Sequence, residues 1–162
     1  MTDTRRQDGL GRRVVVTGMA GFSPIGNDWA TIQGRLDRAE TGIRYMPDWS
    51  EYDGLHTRLG APVSDFSLPA QYNRRVLRSM GRGAQMATRA TELALIDAGL
   101  LDSPLLTSGD MGIAYGASAG EPDAVADFGN MLLNKSTDGL NANSYIRMMA
   151  HTAAVNIGVF FG

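Results

Sequence analysis

At 162 residues, with 43% hydrophobic and 20% charged side chains, the chain is long enough to bury a core and too apolar to stay unfolded. A formal charge of −2 at pH 7 gives no general attraction for nucleic acid, and no run of about 18 apolar residues is present to span a bilayer. Cysteine is absent and the two histidines, His56 and His151, stand far apart in sequence. Disulfides, thiol catalysis and a zinc site therefore have little to build on, and the cytoplasm is the default location.

Residues 1–11 are mostly polar, include Arg5, Arg6 and Asp8, and read as a disordered lead-in with no signal-peptide core. Organisation begins at Arg12. Val14-Val15-Val16-Thr17 is an uninterrupted β-branched run, the pattern of a strand buried on both faces in an α/β protein. Glycines at 18, 21 and 26 let the chain turn sharply, and Asn27 or Asp28 can cap the following helix. Such a crevice is a usual ligand site. A dinucleotide fingerprint fails, because Ala20 and Ser23 occupy its second and third glycine positions. The short-chain dehydrogenase pattern meets Phe22 where it needs glycine, and Met131, four residues before the only lysine, Lys135, where it needs tyrosine. A phosphate loop also fails, since Lys135 follows Asn134.

Asp28 to Leu36 has the spacing of an amphipathic helix with Trp29, Ile32 and Leu36 on one stripe. Ile43 to Gly54 carries Tyr45, Trp49 and Tyr52, rings expected to pack a surface loop down, and Leu55 to Val63 suits a short peripheral strand. A helical stretch opens after Leu68-Pro69; on it Arg74, Arg78 and Arg82 fall four apart, on one face, with Arg75 beside them. Met80 to Ala98 is a helix with alanines at 84, 87, 90, 94 and 98 for close packing, stopped by Gly99. Met111 to Tyr115 reads as a second central strand, followed by the turn Gly116-Ala117-Ser118-Ala119-Gly120 and a helix from Asp123 to about Leu133. Asn134 to Asn143 is a polar connection. Ser144 to Phe161 is apolar on most sides and is expected to be one buried helix.

Two chemistries suit the second turn. Gly-x-Ser-x-Gly between strand and helix is the nucleophile elbow of serine hydrolases, and a triad of Ser118, Asp127 or Asp138, and His151 can be written. Too few strands precede the elbow and Pro122 follows it closely, so this reading is the weaker. The other comes from resemblance. Arg13-Val14-Val15-Val16-Thr17-Gly18 with Ser23-Pro24-Ile25-Gly26, then Ala94-Leu95-Ile96-Asp97-Ala98-Gly99-Leu100, then Gly112-Ile113-Ala114-Tyr115-Gly116, resemble the β-ketoacyl-acyl-carrier-protein synthases in order from Arg12 to Gly162.

That resemblance implies an α/β, thiolase-like fold, here an incomplete amino-terminal half with few central strands and several packing helices. It implies an elongating enzyme, a homodimer, that condenses acyl and malonyl thioesters by decarboxylative Claisen chemistry and works with acyl carrier protein. Arg74, Arg75 and Arg78 become the carrier-docking residues; Arg75 and Arg78 match basic positions of the family, while Ser79 stands where some members carry another. Ala119 and Ser144 become the acyl-pocket wall, both small where relatives are often bulky. The apolar ending Val159-Phe160-Phe161 and the shortage of strands suggest that the domain is not complete. In the family a strand and the nucleophilic cysteine follow, then two histidines and a lysine. The resemblance implies no organic cofactor and no catalytic metal; no catalytic residue is expected here and the chain alone should be inactive. A cysteine-less chain-length partner of a ketosynthase is the alternative.

Overall fold

The computed structural model describes residues 13–162. The lead-in expected over residues 1–11 lies outside them. The chain runs α1 (Trp29–Asp37), β1 (Arg44–Tyr45), a 3₁₀ turn (Pro47–Glu51), β2 (Leu59–Gly60), α2 (Arg74–Leu77), α3 (Arg82–Asp97), a 3₁₀ turn (Pro104–Thr107), α4 (Pro122–Asn134), α5 (Ala142–Met148) and α6 (Thr152–Phe161). α3 packs on α6, α4 packs on α5, and β1 pairs antiparallel with β2. Among the described residues no helix is long and apolar enough to cross a membrane.

Local signals account for the helix ends. Asp28 caps α1 by accepting from the Thr31 amide at 2.9 Å. That bond, with the Thr31 hydroxyl, holds its carboxyl below the ordinary range. Pro122 opens α4, where a missing N–H costs nothing. Gly99, at φ +68°, ends α3 in the left-handed region.

Several expectations need correction. Neither Val14–Thr17 nor Met111–Tyr115 is a ladder strand; among the described residues only β1 and β2 form a sheet. The runs have strand composition, but a strand exists through hydrogen bonds to neighbours, and neither run finds one. Val14 is 95% exposed. Ser144 to Phe161 is two helices, because Met149 is extended and the Thr152 hydroxyl bonds the Ile146 and Met149 carbonyls, both at 2.7 Å. It is also buried on one side only, with Val155 and Val159 exposed. Trp29 and Leu36 on α1 are exposed, as are Tyr45 and Tyr52; of the loop rings, only Trp49 packs down, close to Gly60.

The buried apolar residues are Tyr72, Met80, Ala124, Ala153 and Ile157, and Thr88, Glu92, Ser144 and Asn156 are buried beside them. A core so rich in polar groups relies on their being paired. A groove of about 660 Å³ opens between α3, α6 and the Met111–Tyr115 segment, lined by Ala87, Ala90, Leu95, Ile113, Ile157 and Phe161. The first glycine turn is pressed onto the end of α3. The Met19 amide donates to Asp97 Oδ2 at 2.9 Å, and a Cβ at Gly18 would stand 2.6 Å from the Ala98 nitrogen. Gly18→Ala is therefore expected to lower unfolding free energy by roughly 1–3 kcal/mol, the cost of overpacking against rigid backbone. Denaturant unfolding checks this; an unchanged midpoint would show that the turn is not seated on α3.

Candidate functional site

The second glycine turn is fixed from two sides, by α3 and by α5. Glu121 accepts from the Gly83 amide with Oε1 at the start of α3, and its own amide donates to the Arg147 carbonyl at 3.0 Å, at the end of α5. A Cβ on Gly120 would stand 2.7 Å from that same carbonyl oxygen, so only glycine lets the turn lie against α5. Ala119, just before it, borders a cavity of about 140 Å³ together with Gly81, Ala84, Arg147 and Asn156. Ser144 sits elsewhere: it is completely buried, and its hydroxyl donates to Asp127 Oδ2 at 2.8 Å, fastening α5 to α4.

The arginines divide into two groups. Arg74 and Arg75 lie on α2 and Arg78 caps it; all three are exposed. Among the described residues none of their guanidinium groups has an ion-pair or hydrogen-bond partner. Arg82 does not share their helix, because the chain breaks between Arg78 and the first turn of α3. It donates to the Val63 carbonyl at 2.7 Å and lies over the Phe66 ring, 5.4 Å from its centroid. Its charge is used inside the chain.

Ser118 and His151 are exposed, and among the described residues neither side chain is hydrogen-bonded to the other or to an aspartate. Asp127 is already taken by Ser144, so the triad written from sequence is not assembled. No group of three metal-ligating side chains occurs among the described residues.

Behind α2 lies a buried polar cluster that sequence reasoning did not single out. The Tyr72 hydroxyl donates to Glu92 Oε2 at 2.8 Å, and Arg89 is ion-paired to the same carboxylate one turn away. Tyr72 stacks on Phe160, with ring centroids 4.8 Å apart. Tyr72 lies 20 residues from Glu92 and farther still from Phe160, so no local pattern announces their meeting; only the Arg89–Glu92 pair is local.

The sequence profile described as "Beta-ketoacyl synthase, N-terminal domain" matches residues 11–162. The chain belongs to this family. It is 28% identical over 151 residues to a 3-oxoacyl-[acyl-carrier-protein] synthase 2 from Synechocystis sp., an alignment covering 91% of this chain and 36% of that protein. The crystal structure of a β-ketoacyl synthase from Burkholderia phymatum STM815 superposes with a TM-score of 0.86 at 44% identity, over 91% of this chain and 36% of that one. The ishigamide ketosynthase/chain length factor superposes at 0.65 with 24% identity, over 93% of this chain and 37% of that one, a likeness of fold alone. The ketosynthase chain thus has the thiolase-like α/β fold and spans about a third of the length of these relatives.

Burial, then the hydrogen bond to Glu92, raises the Tyr72 phenol above its ordinary value. A raised folded value means stability is fully present below the unfolded tyrosine pKa of about 10 and is lost as pH rises through the folded one. Unfolding free energy should therefore fall above about pH 10. Tyr72→Phe should lack this component and be less stable by about 1 kcal/mol at neutral pH, where the hydroxyl bond is lost. Denaturant titrations between pH 8 and 11 test both; identical alkaline slopes for the two proteins would sink the assignment.

Proposed function

We propose that this ketosynthase chain serves the recognition side of a decarboxylative condensing enzyme: it receives acyl carrier protein and forms part of the acyl-pocket wall. The covalent chemistry of such an enzyme passes the acyl group from a carrier thioester to a cysteine thiolate, releasing the carrier thiol. Loss of carbon dioxide from the malonyl thioester then leaves an enolate carbon that attacks the acyl-enzyme carbonyl and expels the cysteine. This chain contains no cysteine. Its share is therefore docking and shape.

The observation that carries the docking reading is the exposed trio Arg74, Arg75 and Arg78, whose guanidinium groups have no partner among the described residues. In a chain of net charge −2 they are a local basic patch. Exposed cations gain little from internal pairing, whereas an acidic partner is steered to them and held in register. Arg75→Glu with Arg78→Glu should weaken binding of holo acyl carrier protein about tenfold or more at low salt, the effect shrinking as salt rises. Titration by fluorescence anisotropy reads this directly. Equal affinity for the wild-type and doubly reversed chains would remove the docking role.

The pocket reading rests on Ala119, whose small side chain leaves the cavity beside Arg147 and Asn156 open. Ser144, the other small residue that the resemblance assigns to the wall, does not line this cavity: it is buried between α4 and α5 on Asp127, so the pocket reading stands on Ala119 alone. In a condensing enzyme that contains this chain, Ala119→Phe should reduce kcat/KM for long acyl thioesters by about tenfold and spare short ones. A uniform loss across chain lengths would count against a pocket role.

A further inference from the structure

α2 is only four residues long, Arg74 to Leu77, and none of its residues is buried. A helix so short does not persist by itself, and this one has no buried side chain of its own to hold it. Asn73 caps it, accepting from the Arg75 and Val76 amides at 3.0 and 3.2 Å, which satisfies its first turn but does not orient it. Orientation comes from the residues on either side. Before the helix, Tyr72 is held by its hydroxyl on Glu92 of α3 and its ring on Phe160 of α6. After it, the Ser79 hydroxyl donates to Asn156 Oδ1 at 2.8 Å, and Asn156 Nδ2 donates back to the Ser79 carbonyl at 3.3 Å. Met80, next in line, is buried.

The segment bearing the three arginines is thus a short bridge between two polar clips, both closed on the α3–α6 pair. Tyr72 and Asn156 are 5% and 7% exposed, so the clips work where hydrogen bonds are directional and water does not compete. We propose that Tyr72 and Asn156 are positioning residues for carrier recognition, fixing α2 at both ends so that Arg74, Arg75 and Arg78 meet the partner already arranged. The proposal rests on the docking reading above and adds its mechanism. Neither residue reaches the carrier. Each lowers the ordering cost that a loose basic segment would meet on binding, which is how a preorganised surface gains affinity without further contacts.

This predicts a signature distinct from loss of charge. Removing a clip leaves every arginine in place, so the dependence of affinity on salt should be kept while affinity itself falls. Reversing Arg75 and Arg78 should change both. The test titrates holo acyl carrier protein, fluorescently labelled, onto wild type, Tyr72→Phe, Asn156→Ala and the Arg75→Glu/Arg78→Glu chain across a salt series. Amide exchange is followed at Val76 and Leu77, whose N–H groups bond the Asn73 carbonyl, and along α3. Tyr72→Phe keeps the stacked ring and is the gentler variant. The clip variants should bind about three- to tenfold more weakly with an unchanged salt slope, and should lose protection at Val76 and Leu77 while α3 keeps its own. Unchanged affinity despite lost α2 protection would overturn the positioning role and leave docking intact. Loss of protection throughout α3 would also overturn it, since the clips would then be general supports of the fold. Charge reversal without effect would overturn the docking reading itself.

Discussion

Both glycine turns and the segment leading into α2 are fastened to α3. Its C-terminal end carries the first glycine turn through Asp97 and the close seat of Gly18. Its first turn carries the second glycine turn through the Gly83 amide and Glu121. Its middle carries the segment before α2 through Glu92 and Tyr72, and its flank carries α6. These bonds join residues 38, 78 and 20 positions apart, so one 16-residue helix closes three long loops of chain. The alanines along it make this possible, because the main chain of the first turn approaches Ala94 and Ala98 more closely than a larger neighbour would allow.

What was legible in the sequence follows the range of the force involved. α1, α3 and α4 could be placed from caps and stops: Asp28, Pro122 and Gly99 act on amides and carbonyls within one turn of themselves. The family could be placed because glycine-turn spacings are read along the chain. The strands could not. Val14–Thr17 and Met111–Tyr115 have the composition of buried strands, but a ladder depends on partners outside the run. The same reasoning explains α5 and α6. No glycine or proline marks the break at Met149 to His151; the Thr152 hydroxyl on two carbonyls of the preceding turn accompanies it, and that contact has no spacing rule of its own.

The candidate site shows the same division. Arg74, Arg75 and Arg78 were found as charge at helical spacing and are exposed, but the extension of that face to Arg82 fails where the chain leaves α2 and restarts at α3. Arg82 then serves the Val63–Phe66 loop, with its charge spread over an aromatic face. Ala119 could be chosen only by resemblance, since a small residue in a glycine-rich turn carries no chemical signal. Tyr72, Glu92 and Asn156 were not singled out, and Ser79 was noted only as a missing basic residue: each is an ordinary polar residue until folding brings it against its partner.

Those unannounced pairs bear on the recognition role proposed for this chain. Acyl transfer needs a nucleophile, but it needs the carrier delivered in register as well, and the two requirements draw on different physics. The nucleophile depends on the pKa of one thiol. Register depends on charges held still, which in a long, flexible arginine means holding the backbone beneath it, since each guanidinium is left to water until the partner arrives. A four-residue helix is an economical way to present such charges only if its ends are fixed. In this chain they are fixed by the hydrogen bonds of Tyr72 and Asn156 and not by apolar burial of the helix itself, which leaves the arginine face exposed, as the proposed docking role requires.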